Sequence, residues 1–184
     1  MKLTRRLLLA SVAFSMALGV ASVARAEDET LYIDTKDGRI VIKLRPDLAP
    51  KTVERIKKLA KEHFYDGITF HRVIEGFMAQ GGDPDGNGMG SSRYPDLKAE
   101  FSDVPFKRGT VAMARQPTDK DSANSQFFIT FVETPQLNGK YTIWGEVVSG
   151  MDVVDKIKKG DKANNGAVEN PDKMIKVRVA GDEG

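Results

Sequence analysis

Polar and apolar residues alternate, or nearly so, over positions 31–35 and 39–44, and Lys36-Asp37-Gly38 between them supplies turn chemistry. This part of the chain therefore reads as an opening β-hairpin. Pro50 then stands where a helix can begin without losing a needed donor, and Val53, Ile56, Leu59, Ala60 and Phe64 follow at helical spacing with lysines between them. That pattern predicts one amphipathic helix. Strand-like runs come next at 69–74 and 77–80, and again at 110–115, 126–132 and 142–147. A second helix is predicted over 151–158 and a last strand over 174–179. Between 82 and about 107 lies a long irregular stretch with Pro84, Pro95, Pro105 and the glycines Gly82, Gly86, Gly88 and Gly90. A loop of that length in one domain is usually functional or unstructured. The set amounts to about eight strands and two well-separated helices, with no repeating strand-helix alternation. A closed antiparallel barrel would remove the exposed edges of such a set, but strand counting alone leaves a sandwich equally open.

The first residues have a different pattern. Lys2, Arg5 and Arg6 precede an apolar, small-residue run over 7–23, and Ala24-Arg25-Ala26 offers a small-x-small processing pattern. Residues 1–26 are therefore expected to be a signal peptide cleaved after Ala26. An uncleaved anchor would need about twenty apolar residues; this run is shorter, rich in Ala and Ser, and ends on the processing site. Thr4-Arg5-Arg6-Leu7 suits both twin-arginine and ordinary export.

Removing the leader changes the charge. The whole chain carries a formal +2, and the leader takes away Lys2, Arg5, Arg6 and Arg25 and no acid, which leaves −2. A near-neutral mature chain has no clustered Lys and Arg with which to bind nucleic acid. Residues 27–184 are enough for one well-buried domain and too few for two of ordinary size. The 184 residues include 0 Cys, which excludes a disulfide, a thiolate nucleophile and a Cys-bearing zinc site.

Three blocks carry the candidate chemistry: Phe70-His71-Arg72-Val73-Ile74-Glu75-Gly76-Phe77-Met78-Ala79-Gln80-Gly81-Gly82-Asp83, then Ser125-Gln126-Phe127-Phe128-Ile129, then Leu137-Asn138-Gly139-Lys140. In this order and spacing the chain resembles the cyclophilin family of peptidyl-prolyl cis-trans isomerases, over roughly 31–179. The resemblance implies a closed eight-stranded antiparallel barrel capped by two α-helices. It also implies catalysis of rotation about Xaa-Pro bonds with no metal, nucleotide or organic cofactor. The segment 115–124, with Lys120-Asp121-Ser122, resembles the bacterial exported branch, so a periplasmic location is expected, with proline-containing unfolded or flexible polypeptides as substrates. A monomer is expected, without membrane contact once the leader is removed. The alternative is a chaperone or assembly module that binds proline segments with little turnover.

Arg72 matches the family's catalytic arginine. A guanidinium is permanently charged, planar and fork-shaped, and suits a donor aimed at the prolyl nitrogen when the amide twists and that nitrogen regains its lone pair. Phe77, Met78, Phe128 and Leu137 are the implied walls of a proline pocket, since a pyrrolidine ring is small and apolar. Taken singly, an arginine on a strand is more often solvated and such apolar residues are more often core; the resemblance reverses that weighting. Gln80 and Gln126 are assigned to substrate carbonyls or to backbone near the ring. Ala114 and Arg115 offer main-chain groups to an extended peptide, and Gly88 lies on the loop lining the groove. Tyr141 stands where many members have histidine and joins the substrate-binding set. Phe127 should point away from Phe128, into the interior. His71 is expected to be structural, because isomerisation exchanges no proton with solvent. His63 is read as a helix-end residue.

Asp83-Pro84-Asp85-Gly86-Asn87-Gly88 has the opening spacing of a calcium loop, but the twelfth place is Tyr94 rather than a bidentate Glu, so no metal site is assigned. No Gly-x-Ser-x-Gly elbow, phosphate loop or His-Glu-x-x-His pair occurs. Gln136 stands where many cyclophilins have tryptophan, and the lone Trp144 falls where they usually have Phe. Losing that indole removes apolar area and an N–H donor, so weak binding of the family's inhibitor cyclosporin is expected.

Overall fold

The computed structural model describes residues 29–182; the leader expected over 1–26 lies outside the described residues. The elements run β1 (Thr30–Thr35), β2 (Gly38–Leu44), α1 (Pro50–Lys61), β3 (Arg72–Ile74), β4 (Met78–Gly81), β5 (Thr110–Met113), β6 (Phe127–Thr130), β7 (Ile143–Ser149), α2 (Met151–Lys156) and β8 (Lys176–Val179). Short 3-10 turns at Pro135–Leu137, Lys162–Asn164 and Ala180–Asp182 complete the list. All ladders are antiparallel, and the spatial order is β3-β4-β6-β5-β7-β2-β1-β8.

This eight-stranded sheet curls into a half-barrel rather than closing as a continuous ladder. Its end strands, β3 and β8, do not pair. Isolated bridges, Thr69 to Lys173 and Arg72 to Ala167, span the seam between the β3 side and the chain leading into β8. Two backbone bonds support them, Phe70 N–H to Asp172 O at 2.9 Å and Met174 N–H to Ile68 O at 2.9 Å. The seam is irregular for local reasons: β3 has only three residues, and the segment opposite begins at Pro171, which has no N–H to contribute.

The concave side of the sheet and the inner faces of the helices share one core. Leu31, Ile33, Ile40, Ile42 and Leu44 supply it from the opening hairpin, and Phe127, Trp144, Val177 and Val179 from later strands. Phe127 meets Tyr65 and Trp144 edge-on, with centroids 5.7 and 5.5 Å away. Burying such rings is worth about 1.5–3 kcal/mol per large apolar side chain. Helix α1 buries Thr52, Val53, Ile56, Leu59 and Ala60 and packs on β7 and β8, while α2 packs on β2.

Helix α1 stops at Lys61, before the expected Phe64. His63 adopts a left-handed backbone, φ 58°, and this turns Phe64 back onto the core. His63 is therefore beyond the helix, with Nδ1 3.5 Å from Asp66 Oδ2. At the other end Ala49 provides no side-chain cap. Glu100, from the long loop, replaces it: its carboxylate accepts from Lys51 N–H at 3.0 Å, Thr52 N–H at 2.9 Å and Thr52 Oγ1 at 2.7 Å. The loop over 82–107 is thus ordered by polar anchors. Asn124 adds more, its Oδ1 accepting from Ser92 N–H and Oγ and its Nδ2 donating to Tyr94 O and Asp96 Oδ1.

Candidate active site

Strand register sets out the site. Arg72 pairs with Gln80 across β3 and β4, Gln80 with Phe128 across β4 and β6, and Phe128 with Ala112 across β6 and β5. Residues directly opposite in antiparallel strands share a face. One row therefore runs from a cation through an amide to an aromatic ring. The neighbouring Phe127 lies on the opposite face in the core, as the two-residue strand period requires.

Around Phe128 a second apolar cluster forms, separate from the main core. Met78, Phe106, Ala112 and Ile143 are buried with it, and Phe77, Ala114, Leu137 and Tyr141 are partly buried at its rim. Phe106 stacks on Phe128 with centroids 6.1 Å apart and planes 13° apart, and Tyr141 meets it edge-on at 5.5 Å. These contacts fix the ring from two sides. Phe77, Met78, Phe128, Leu137, Tyr141 and Ala114 line an open cavity of about 660 Å³ together with Arg72, Gln80, Gly88 and Arg115. Gln126 lines an adjoining cleft of about 240 Å³ that shares Gln80, Gly88, Ala114 and Arg115.

A continuous set of hydrogen bonds holds the cation. Arg72 donates from Nη1 to Gln80 Oε1 at 3.0 Å, from Nε to Asn165 O at 3.0 Å and from Nη2 to Asn165 Oδ1 at 3.0 Å. Gln80 Nε2 donates to Gln126 Oε1 at 2.9 Å, and Gln126 Nε2 to the carbonyls of Gly88 at 3.1 Å and Gly90 at 2.8 Å. Of the two roles expected of the glutamines, Gln126 shows the second, a hold on backbone near the groove. Gln80 holds the Arg72 fork, and Gln126 links Gln80 to the groove loop. A guanidinium has five N–H donors; with three used, one on Nη1 and one on Nη2 have no hydrogen-bond acceptor among the described residues.

Burial lowers the pKa of Arg72 below its ordinary value, with Tyr141 acting the other way; a guanidinium stays charged in proteins regardless. Burial also lowers His71, opposed by Asp83 and reinforced by Arg72. His71 is buried, and neither ring nitrogen has a hydrogen-bond partner. Asp83 shows opposed effects: burial alone would raise it, but N–H bonds from Asp85, Gly88 and Gly90 and the nearby His71 bring it below the usual carboxylate range. Its oxygens accept from Asp85 N–H at 2.8 Å, Asn87 N–H at 3.0 Å and Gly88 N–H at 2.5 Å. The first place of the calcium-like spacing thus serves as the anchor of the loop. Arg115 folds back over Tyr141, its guanidinium carbon 4.7 Å from the ring centroid, while Nε donates to Lys140 O at 3.1 Å.

Several residues of the cavity were not singled out in the sequence. Asn164, Asn165, Ala167 and Val168 enter from the stretch between α2 and β8. Asn164-Asn165-Gly166 reads as a turn, but nothing local signals that it reaches Arg72 from 93 positions away. Phe106 stands behind Phe128 and its only signal was hydrophobicity.

The match to known proteins follows the same residues. The model of cyclophilin type peptidyl-prolyl cis-trans isomerases matches residues 30–179, which spans every strand above. This chain belongs to the cyclophilin family. A probable peptidyl-prolyl cis-trans isomerase of Brucella suis is 53% identical over 195 aligned positions, covering 99% of each chain. Among solved structures, a cyclophilin of Hirschia baltica superposes with TM-score 0.76 at 26% identity, over 86% of this chain and 76% of that one. A cyclophilin type isomerase of Cryptosporidium parvum, crystallised in the presence of the dipeptide Ala-Pro, gives TM-score 0.74 at 27% identity, over 82% and 98%. The cyclophilin fold thus appears here as a curled sheet, and the chain is a peptidyl-prolyl cis-trans isomerase.

Proposed function

We propose that this isomerase acts on Xaa-Pro bonds of exported polypeptides in the bacterial periplasm, as a monomer, with Arg72 as its catalytic residue. The observation that carries the reading is the pair of free N–H groups on a fixed guanidinium at the edge of an apolar socket.

Amide resonance imposes a rotation barrier of about 18–20 kcal/mol. At proline both isomers are populated, yet they exchange only over tens to hundreds of seconds. As the bond twists, the prolyl nitrogen turns pyramidal and regains a lone pair. A donor directed there stabilises the twisted state more than either planar one. Phe77, Met78, Phe128 and Leu137 would hold the pyrrolidine ring while Arg72 donates to its nitrogen. Gly88, Ala114, Arg115 and Tyr141 flank the extended peptide. No proton leaves or enters, so an unpartnered, buried His71 is compatible with the reaction.

Export rests on residues 1–26, whose charged start, apolar run and Ala24-Arg25-Ala26 end fit a cleaved leader. A slow proline step limits folding of many chains, and folding outside the cytoplasm gives such an enzyme its use. No helix among the described residues is long and apolar enough to cross a membrane. Two measurements test the proposal. Mass spectrometry of the periplasmic fraction should find a chain beginning at Glu27; a chain retaining Met1 in the cytoplasm would contradict it. Proline-limited refolding of a model protein should be accelerated by the mature chain and far less by Arg72→Ala; equal acceleration would remove Arg72 from the catalysis, and no acceleration by the mature chain would leave only the binding-module reading.

A further inference from the structure

We infer that Asn165 is a positioning residue for the reaction, the group that aims the Arg72 fork at the proline socket. The inference rests on the isomerase reading above for its consequence in rate, and on geometry alone for the aim.

Gln80 holds one tip of the fork, Nη1. One contact at a tip leaves a guanidinium free to swing about its stem. Asn165 removes that freedom by gripping two further nitrogens with two different oxygens, its backbone carbonyl on Nε and its side-chain Oδ1 on Nη2, each at 3.0 Å. Three contacts on three nitrogens of a planar group define its plane. They leave the remaining Nη1 and Nη2 hydrogens as the only directions open to a substrate.

The backbone explains why asparagine stands there. Asn165 has φ 52° and ψ 28°, in the left-handed region that glycine and asparagine adopt most readily. Glycine would keep the backbone carbonyl and lose Oδ1. The turn is in turn fixed to β3: Val73 N–H donates to Gly166 O at 2.8 Å and Gly160 N–H to Val73 O at 2.9 Å. A Cβ on Gly166 would stand 2.5 Å from Ile74 Cγ1, so the turn lies directly against the strand that carries Arg72. Asp161 closes it from within, accepting Ala163 N–H at 2.9 Å on Oδ1 and Gly166 N–H at 2.8 Å on its carbonyl.

The test uses the mature chain with Asn165→Gly, which keeps the left-handed turn, and Asn165→Asp, which keeps an acceptor at Oδ1. NMR of the Arg72 guanidinium reads the Asn165 grip on Nη2 that sets this aim, through the rate of rotation about Cζ–Nη2. We expect Asn165→Gly to speed that rotation and lower kcat roughly tenfold, the size of one lost hydrogen bond to a charged group, with KM and melting temperature little changed. Asn165→Asp should restore most of the rate, and in an Arg72→Lys background Asn165→Gly should do nothing further. Unchanged rotation in Asn165→Gly would overturn the inference, and so would faster rotation at undiminished kcat. Absence of turnover in the unmodified chain would instead defeat the isomerase reading, and the rotation measurement would still decide the aim.

Discussion

Gln80 stands directly opposite Arg72 in the β3–β4 ladder and accepts a hydrogen bond from its Nη1 at 3.0 Å, while its own amide N–H₂ donates to Gln126. The cation of this site is therefore part of the sheet's cross-strand pairing. Gln80→Ala leaves the strand intact and releases one tip of the fork. We expect kcat to fall roughly tenfold, as for any lost bond to a charged donor, with the thermal midpoint nearly unchanged. Steady-state kinetics on a proline peptide check this; a KM change alone would mean that Gln80 binds substrate after all.

Glu100 caps a helix that has no cap of its own. Removing the carboxylate strands the N–H groups of Lys51 and Thr52 and the partial positive charge of the helix start. Glu100→Ala should cost about 1 kcal/mol, which for a chain of this size is a fall of about 2–4 °C in melting temperature. Calorimetry decides it. The same substitution frees one anchor of the long loop while leaving Arg72 untouched, so kcat should hold.

His71 gives a sign-definite pH dependence. Its folded pKa lies below the ordinary 6.5 because burial disfavours the charged ring. Between the two values the unfolded chain binds more protons than the folded one, so stability is complete above about 6.5 and is lost as pH falls through the folded value. Carboxylates such as Asp83 titrate lower, since their pKa values are held down. Melting temperature should therefore decline from near neutrality, and His71→Gln should delay that decline until the carboxylate range. A flat profile from pH 7 to pH 5 in the unmodified chain would contradict the burial of a neutral ring.

Gln136 is exposed on the 3-10 turn Pro135–Leu137, next to Leu137 of the socket. Many cyclophilins place tryptophan there. An amide supplies neither the apolar area nor the indole N–H, so cyclosporin should bind weakly and Gln136→Trp should tighten it, as titration calorimetry would record. Nanomolar binding by the unmodified chain would contradict this.

Much of the architecture was legible from periodicity. Pro50 at the start of α1 and Met151 at the start of α2 stand where the pattern placed them, and each hairpin strand begins within one residue of it. Boundaries that depend on tertiary partners were not. Thr69 pairs with Lys173 only through an isolated bridge, so the run expected over 69–74 yields a strand of three residues. The closed barrel that the resemblance implied is instead a curled half-barrel, because the seam depends on a three-residue β3 and an irregular partner segment that starts at Pro171. In the site, the apolar walls and Arg72 were assigned through the three motifs that carry the family resemblance, since taken singly such residues are more often core or solvated. Asn165 and Glu100 were not, since each acts across a long sequence separation through bonds that leave no local trace. The hold of Gln126 on backbone was among the roles expected of the glutamines, whereas the contact of Gln80 with Arg72 emerges only from the strand register.

The central claim is that a permanent cation beside an apolar socket lowers the barrier to prolyl rotation. The most direct measurement compares catalysed isomerisation of a short proline peptide by the mature chain and by Arg72→Ala, with peptide binding measured in parallel. By analogy with the loss of one oxyanion-hole donor, kcat/KM should fall on the order of a hundred to a thousand fold, about 2.7–4 kcal/mol, while peptide binding changes far less. Equal turnover by Arg72→Ala, with its fold and binding intact, would contradict the claim.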